Sequence, residues 1–419
     1  MRILIHGANF YPERIGIGKY SGEMAEWLAT RGHEVRVVTA PPYYPEWRVR
    51  PDYSCWKFKC EVLKGKEATS KAGGLTVWRC PLWVPARPSG LKRILHLASF
   101  ALSSFPVMVR QIFWRPDIVL VVEPPLFCTP QALSVARLTG AKAWLHVQDF
   151  EIDAAFDLGI VKPGWLKNLF FSVESWLMRR FDRVSTISEV MLGKLVAKGV
   201  VPDKAVLFPN WVNLEIIKPD AEAGRRMRSE LSLPAHAKLA LYSGNIGEKQ
   251  GLEYVIEAAR LLQEIALIFV ICGDGSAKFR LQSMSKDLSN IRWLPLQPIE
   301  RLNDLLNMPD MHLLPQLNSA ADLVMPSKLT GIFACGRPLI AMASSGTSLY
   351  EAVNGHGFVV APENHVALSR AIMFLINNVG AGEEFGIKAR QFAVSSFCRE
   401  SILRDFETGM SLLCKDSVM

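Results

Sequence analysis

The chain has 419 residues, enough for two domains of ordinary size. Its residues are 49% hydrophobic and 21% charged, which suits packed globular cores and excludes a disordered chain. Lys and Arg number 48 against 40 Asp and Glu, and the resulting charge of +8 favours an anionic ligand or an anionic membrane surface. No zinc-finger spacing or aromatic-basic RNA motif accompanies that charge, so nucleic acid is not an expected partner. The eight cysteines (Cys55, Cys60, Cys80, Cys128, Cys272, Cys335, Cys398 and Cys414) are scattered, with no C-x2-C pair. That pattern predicts a reducing compartment, no disulfide frame and no structural metal. The opening MRILIHGANF reads as a strand rather than a signal peptide, and no apolar run is long enough to predict a transmembrane helix.

Residues 2–6 form the first predicted strand, followed by a long loop over 7–19 that contains Gly16 and Gly18. Loops of that length after a first strand tend to bind ligands, although a plain surface loop has the same composition. A helix is predicted over 20–30 and a second strand over 34–39. The glycines do not fit G-x-G-x-x-G and no acidic residue closes the second strand, so a nicotinamide site is poorly supported. Residues 41–74, rich in Pro, Tyr, Trp and Lys, read as an irregular aromatic insertion before a strand at 75–79.

Residues 91–115 carry Leu91, Ile94, Leu95, Ala98, Ala101, Leu102 and Phe105 at helical spacing, with Lys92, Arg93, Arg110 and Arg115 beside them. Pro106 is expected to kink or end the first helical piece. A basic, apolar helix of this kind either packs on its own sheet or lies in a membrane surface. Strands over 117–122 and 143–147 follow, the second ending in Gln148-Asp149-Phe150-Glu151-Ile152-Asp153. Carboxylates in that place are where open α/β sheets put their sites, and Asp149 is the first candidate among them. Its alternative is a structural carboxylate. A helix at 165–181, a strand at 183–187, a helix at 190–198 and a strand at 206–208 complete a first domain, 1–213. Residues 214–237 read as the crossing into a second domain, 214–395, and 396–419 as a final helix packing back on the first.

The second domain opens on KLALYSGNIGEKQGLEYVIEAAR, residues 238–260. A continuously apolar run fits a buried parallel strand. The turn Ser243-Gly244-Asn245-Ile246-Gly247 follows it, then Lys249, and then a helix marked by Leu252, Val255, Ile256 and Ala259. Strand, glycine turn and helix can bring free backbone N–H groups to a phosphate, with Lys249 adding charge. An ordinary βα turn would look the same. Further on lie Gly273-Asp274-Gly275 after a strand at 267–272, and Pro326-Ser327-Lys328 before a helix at 329–334. Ser327 is expected to cap that helix, and Lys328 to meet an anion at its start.

These segments carry a resemblance. SGNIGEKQGLEYVIEA, FPNWVN at 208–213, ICGDG at 271–275 and PSKLTGIFACGRPLIA at 326–341 resemble the family 4 retaining glycosyltransferases. The resemblance covers essentially the whole chain. It implies a GT-B fold, two doubly wound Rossmann-like α/β domains facing a central cleft. It also implies a nucleotide-sugar donor held mainly by the second domain, with GDP-fucose the expected donor. The acceptor would be a lipid-linked oligosaccharide at the inner membrane surface, in exopolysaccharide (colanic acid) biosynthesis, with the protein cytoplasmic and peripherally attached.

On this resemblance Gly16, Gly18, Gly244, Asn245, Lys249, Gly273, Ser327 and Lys328 bind the donor, and Asp149, Lys249 and Lys328 serve the reaction. The chain departs from the family pattern at three places. The usual arginine after the turn glycine is Asn245. The usual paired glutamates fall at Leu323 and Gly331, with Asp322 the nearest carboxylate. The usual His-Asp reads Gln148-Asp149, with His146 two residues earlier. No Asp-x-Asp pair or His cluster suggests a metal, so metal-independent transfer is expected, with lysines and helix N-termini meeting the charge of the leaving diphosphate. Two other readings stay open: a sugar-nucleotide epimerase or hydrolase of the same fold, and a membrane-associated assembly subunit without activity.

Overall fold

A computed structural model describes residues 1–63, 73–86, 90–153, 165–234, 236–320 and 327–415. The chain divides into two compact units, residues 1–209 with 401–419, and residues 210–400. The crossing falls before Asn213 because the Val212 N–H bonds the Phe397 carbonyl at 2.9 Å, tying 210–213 into the second unit.

The first unit contains β1 (Arg2–His6), α1 (Gly16–Thr30), β2 (Glu34–Thr39), β3 (Lys59–Leu63), β4 (Leu75–Arg79), α2 (Gly90–Trp114) and β5 (Ile118–Glu123). It continues through α3 (Thr129–Thr139), β6 (Lys142–Val147), α4 (Trp165–Met178), β7 (Arg183–Thr186), α5 (Glu189–Ala197) and β8 (Ala205–Leu207). Its strands lie in the order β3-β4-β2-β1-β5-β6-β7-β8. All described pairs are parallel except β3 with β4. β5 is buried at every position, as a central strand covered on both faces must be. The chain leaves β1 for β2 on one side and pairs it with β5 on the other, so the strand order reverses beside β1. Open α/β sheets bind ligands at that crevice.

The second unit contains α6 (Ala221–Glu230), β9 (Lys238–Ser243), α7 (Leu252–Leu261), β10 (Leu267–Cys272), α8 (Lys278–Met284), β11 (Ile291–Leu294) and α9 (Leu302–Asn307). Then come β12 (Met311–Leu314), α10 (Lys328–Cys335), β13 (Leu339–Met342), α11 (Ser348–Val353), β14 (Phe358–Val360), α12 (His365–Asn377) and α13 (Val379–Ser396). Its strand order is β11-β10-β9-β12-β13-β14, with the reversal between β9 and β12. Helix α14 (Arg399–Lys415) ends the described chain in the first unit, where Phe406 stacks on Phe208 at 4.0 Å and meets the edge of Trp144 at 4.9 Å.

Several expectations give way. Helix α1 begins at Gly16, so both Gly16 and Gly18 lie in its first turn rather than in a free loop. The aromatic insertion contains β3, whose pairing with β4 is a long-range choice that local composition does not reveal. The expected irregular crossing contains α6, started by Asp220 accepting from the Ala223 N–H. Helix α2 runs through Pro106. Its buried residues His96, Phe100, Ser104, Val107, Met108 and Gln111 lie on both sides of the proline, so packing outweighs the one backbone hydrogen bond that proline removes. Asp322 and Leu323 lie outside the described residues.

Candidate functional site

The turn after β9 is built by backbone contact with the turn after β10. Gly244 donates to the Cys272 carbonyl at 2.9 Å, Ile246 to the Asp274 carbonyl at 2.8 Å, and Ala277 to the Ile246 carbonyl at 3.0 Å. Gly273 and Gly275 have φ of +147° and +156°, and a Cβ on Gly273 would stand 1.9 Å from the Gly244 carbonyl oxygen. Only glycine fits there, which explains the paired glycine motifs of the sequence.

Lys328, the first residue of α10, reaches into this turn. A Cβ on Gly244 would lie 2.8 Å from its Cε and 2.9 Å from its Nζ. Nζ donates to the Tyr242 hydroxyl at 2.6 Å and to Gln250 Oε1 at 3.4 Å. No carboxylate neutralises it among the described residues, and burial pulls its pKa down to about 7. A half-buried lysine held against glycine backbone, with no carboxylate partner among the described residues, is suited to an anion. Gly244, Gly273 and Lys328 are thus brought together, with Asn245 exposed on the same turn. Lys249 sits on the following short 3-10 turn and is exposed. Its carbonyl accepts from the Leu317 N–H after β12, so that turn lies at the reversal of strand order. Ser327 does not cap α10: its backbone is already helical at φ −59°, ψ −18°, and its side chain accepts nothing from the helix. Its carbonyl accepts from Thr330 Oγ1 instead, at 3.1 Å.

In the first unit the corresponding turn is organised by Glu13, which the sequence does not single out. Its Oε1 accepts from the Tyr43 and Tyr44 N–H groups, both at 3.0 Å, and its Oε2 from Asn9 Nδ2 at 2.9 Å. The carboxylate lies against Gly18, where a Cβ would stand 2.5 Å from Oε2. Gly18 therefore answers to Glu13, and Gly16 to its own φ of +59°.

Beyond β5 and β6 the three carboxylates of the sequence reading have separate lives. Asp153 pairs with Lys198 at 2.6 Å, and Lys198 also pairs with the buried Glu174 at 2.5 Å. Glu151 accepts from the Leu126 N–H at 2.9 Å, and burial pushes its pKa up to about 7. Asp149 is half-buried, and its charge adds to the rise of both Glu151 and Glu123. Glu123 closes β5 with its carboxyl fully buried, and burial raises its pKa well above the usual range. Among the described residues no three His, Cys, Asp or Glu side chains converge as a metal site would require.

Helix α2 turns a mixed face to the unit, with Phe100, Val107 and Met108 buried beside His96, Ser104 and Gln111. His6 Nε2 and Gln131 Nε2 each bond Ser104 Oγ at 3.1 Å, and Arg36 Nη1 donates to Gln111 Oε1 at 3.1 Å. Its apolar stripe, Leu91, Leu95, Leu102, Phe105, Val109 and Phe113, is exposed, with Phe113 at 85% and Leu102 at 77%. Burying one such side chain is worth about 1.5–3 kcal/mol, so this stripe is a large unclaimed driving force. Among the described residues no helix is long and apolar enough to cross a membrane.

Comparison with known proteins bears on the family and the fold. Residues 16–211 match the family model of the glycosyl transferase 4-like domain, and residues 225–392 that of the glycosyl transferases group 1. WcaI of Escherichia coli (strain K12), a glycosyl transferase assigned to colanic acid biosynthesis, is 44% identical over 97% of this chain and 98% of its own. Sucrose-phosphate synthase from Thermosynechococcus elongatus superposes with a TM-score of 0.75, covering 99% of each chain at 16% identity. HepE from Anabaena, solved with UDP-glucose, superposes at 0.68, covering 98% of this chain and 99% of its own at 14% identity. At such identities the structural likeness shows the fold alone, and that fold is GT-B.

Proposed function

We propose a specific reaction for this chain, which belongs to the glycosyltransferases with a 4-like first half and a group 1 second half: it moves a sugar, with retention, from a nucleotide-diphosphate donor to a lipid-linked oligosaccharide during exopolysaccharide synthesis. One observation carries the reading. Lys328 places an unmatched ammonium against Gly244, at the crevice where the second sheet reverses its strand order. Breaking the bond between the anomeric carbon and the diphosphate puts charge on the leaving phosphate oxygen. Fixed positive groups there stabilise that charge without an acid, and losing one such donor typically costs about 10²–10³ in rate. Lys328 and Lys249 meet the diphosphate in this reading, with Gly244, Asn245 and Gly273 lining its approach and Ser327 beside Lys328. In the same reading Gly16 and Gly18 of the first unit serve donor binding, and Asp149 contacts sugar or acceptor. No metal is required. The likeness to WcaI supports colanic acid as the pathway, and the UDP-glucose complex of HepE supports a nucleotide sugar in general; GDP-fucose is the donor this reading proposes.

The exposed stripe of α2 supports a place for the first unit on an anionic membrane surface, where a lipid-linked acceptor resides. Lys92 and Arg93 are exposed on the same helix, and each basic residue near anionic lipid contributes about 1 kcal/mol. Replacing both with glutamate is expected to reduce sedimentation with anionic vesicles while donor binding stays intact; equal sedimentation at low salt would remove these charges from the account.

The decisive experiment incubates purified protein with a panel of nucleotide sugars, with and without membrane lipid acceptor and with excess chelator. Transfer from GDP-fucose only when lipid acceptor is present, unaffected by chelator, is the expected result. Release of free sugar or epimerisation without acceptor would favour an epimerase or hydrolase. No turnover of any donor would favour an inactive assembly subunit.

A further inference from the structure

Tyr242 reads in the sequence as part of an apolar strand, and its ring is fully buried in the second unit's core. Its hydroxyl nevertheless reaches the glycine turn. It donates to the Asn245 carbonyl at 2.5 Å. With that proton committed, the oxygen's lone pairs are left for Lys328, whose Nζ donates to it at 2.6 Å. Gln250 Oε1 stands 3.4 Å from both the hydroxyl and the ammonium. On its other side the lysine stem lies along Gly244, in space that a Cβ would occupy. Among the described residues the groups that bond the ammonium are one phenol from β9 and one amide from the turn. The charged residues of that turn, Glu248 and Lys249, are exposed, and Glu248 pairs with Arg280.

A lysine side chain left free surrenders rotamer entropy when it is ordered on a ligand. Holding it beforehand removes that cost from binding. We propose that Tyr242 is the positioning residue that fixes Lys328 for a nucleoside diphosphate, with Gln250 as its second support; this rests on the reading that Lys328 meets the diphosphate. The tyrosine touches no reacting atom. It sets where the ammonium stands and, as an acceptor, favours the charged form.

The sign of the pH effect follows. Free Lys328 loses its proton near pH 7, and a bound diphosphate favours the ammonium, so binding weakens as pH rises above about 7. Removing the phenol oxygen takes an acceptor from the ammonium, so that weakening begins at lower pH. Titration calorimetry of GDP, and separately UDP, on the full chain between about pH 6 and 9 reads both effects. Tyr242→Phe, which keeps the ring, is expected to bind about tenfold more weakly at the alkaline end, with its midpoint moved down and its melting still cooperative. Gln250→Leu should move both in the same direction by less. Tyr242→Phe with parental affinity, or with uniform weakening and an unmoved midpoint, overturns the proposal. If that variant does not fold, an unmoved Gln250→Leu overturns it. Lys328→Ala serves as the control: parental GDP affinity in that variant would sink the diphosphate reading itself, whereas weakened binding there beside an unaffected Tyr242→Phe sinks only the role of the tyrosine.

Discussion

Each unit follows its first strand with a glycine-bearing turn and a helix, and the two turns carry opposite charges at their centres. After β1 the protein supplies its own anion: Glu13 lies against the first turn of α1 and is satisfied by Tyr43, Tyr44 and Asn9. After β9 it supplies a cation, Lys328, and no counter-ion among the described residues. The same supersecondary unit is thus completed internally in one half and left with an open charge in the other. The first turn closes on its own carboxylate, with Gly18 making room for it. The second leaves its lysine without a carboxylate partner among the described residues, which is the charge the proposed function gives to the donor's diphosphate.

The comparison can be broken most severely at Gly273. A Cβ there would overlap the Gly244 carbonyl, and the left-handed φ of +147° adds strain. Gly273→Ala is expected to cost more than about 4 kcal/mol in chemical denaturation and to abolish nucleotide binding; a loss below 1 kcal/mol, about the level of an ordinary surface change, would mean the two turns are not interlocked.

Next in size is Glu13→Ala. It leaves the Tyr43 and Tyr44 N–H groups without their acceptor, which should lower stability by about 2–3 kcal/mol. Nucleoside diphosphate affinity should fall by less than in Lys328→Ala, since in the proposed reading Glu13 acts on the donor only through the placing of Gly18; a fall as large as that of Lys328→Ala at unchanged stability would reverse the assignment.

Lys328→Ala should show the mirror image. Affinity for GDP is expected to fall by about 1.5–3 kcal/mol in calorimetry while thermal stability holds or rises, because an unmatched partly buried charge is removed.

The smallest effect concerns pH. The folded pKa of Lys328, about 7, lies below the ordinary 10.5, so the unfolded chain binds more protons between those values. Stability should therefore rise with pH through that window in the parent, and Lys328→Ala should flatten its own share of the rise. An unfolding free energy that changes between about pH 7 and 9 by the same amount in parent and in Lys328→Ala, read from denaturant titrations, would show that Lys328 is not desolvated.

How far the sequence could be read follows the range of the interactions. The turn at Gly244, the glycines after β10 and the lysine after Pro326-Ser327 were legible because each is a local pattern with a local steric cause. Glu13 was not, because a glutamate in a polar loop looks solvated until Tyr43 and Tyr44 are known to close over it. Tyr242 hid for the opposite reason: inside an apolar strand it looks like core, and only its neighbours reveal that the hydroxyl has work outside it. Ser327 misled because a good capping residue type adopted helical geometry.

Helix α2 marks the boundary most clearly. Its sequence determined that residues 91–113 form an amphipathic helix, since apolar spacing near 3.6 is a property of the chain itself. Which face turns inward was decided by tertiary partners: Phe100, Val107 and Met108 are buried, and His6, Arg36 and Gln131, from distant parts of the first unit, bond Ser104 and Gln111. Likewise the sequence determined two α/β units and a glycine turn in each, because periodicity and turn sterics are local. Which turn keeps an open charge was decided by side chains that meet across 86 positions, as Tyr242 and Lys328 do. Burial, and the electrostatics that burial controls, depend on what folding brings alongside, and no single segment contains that information.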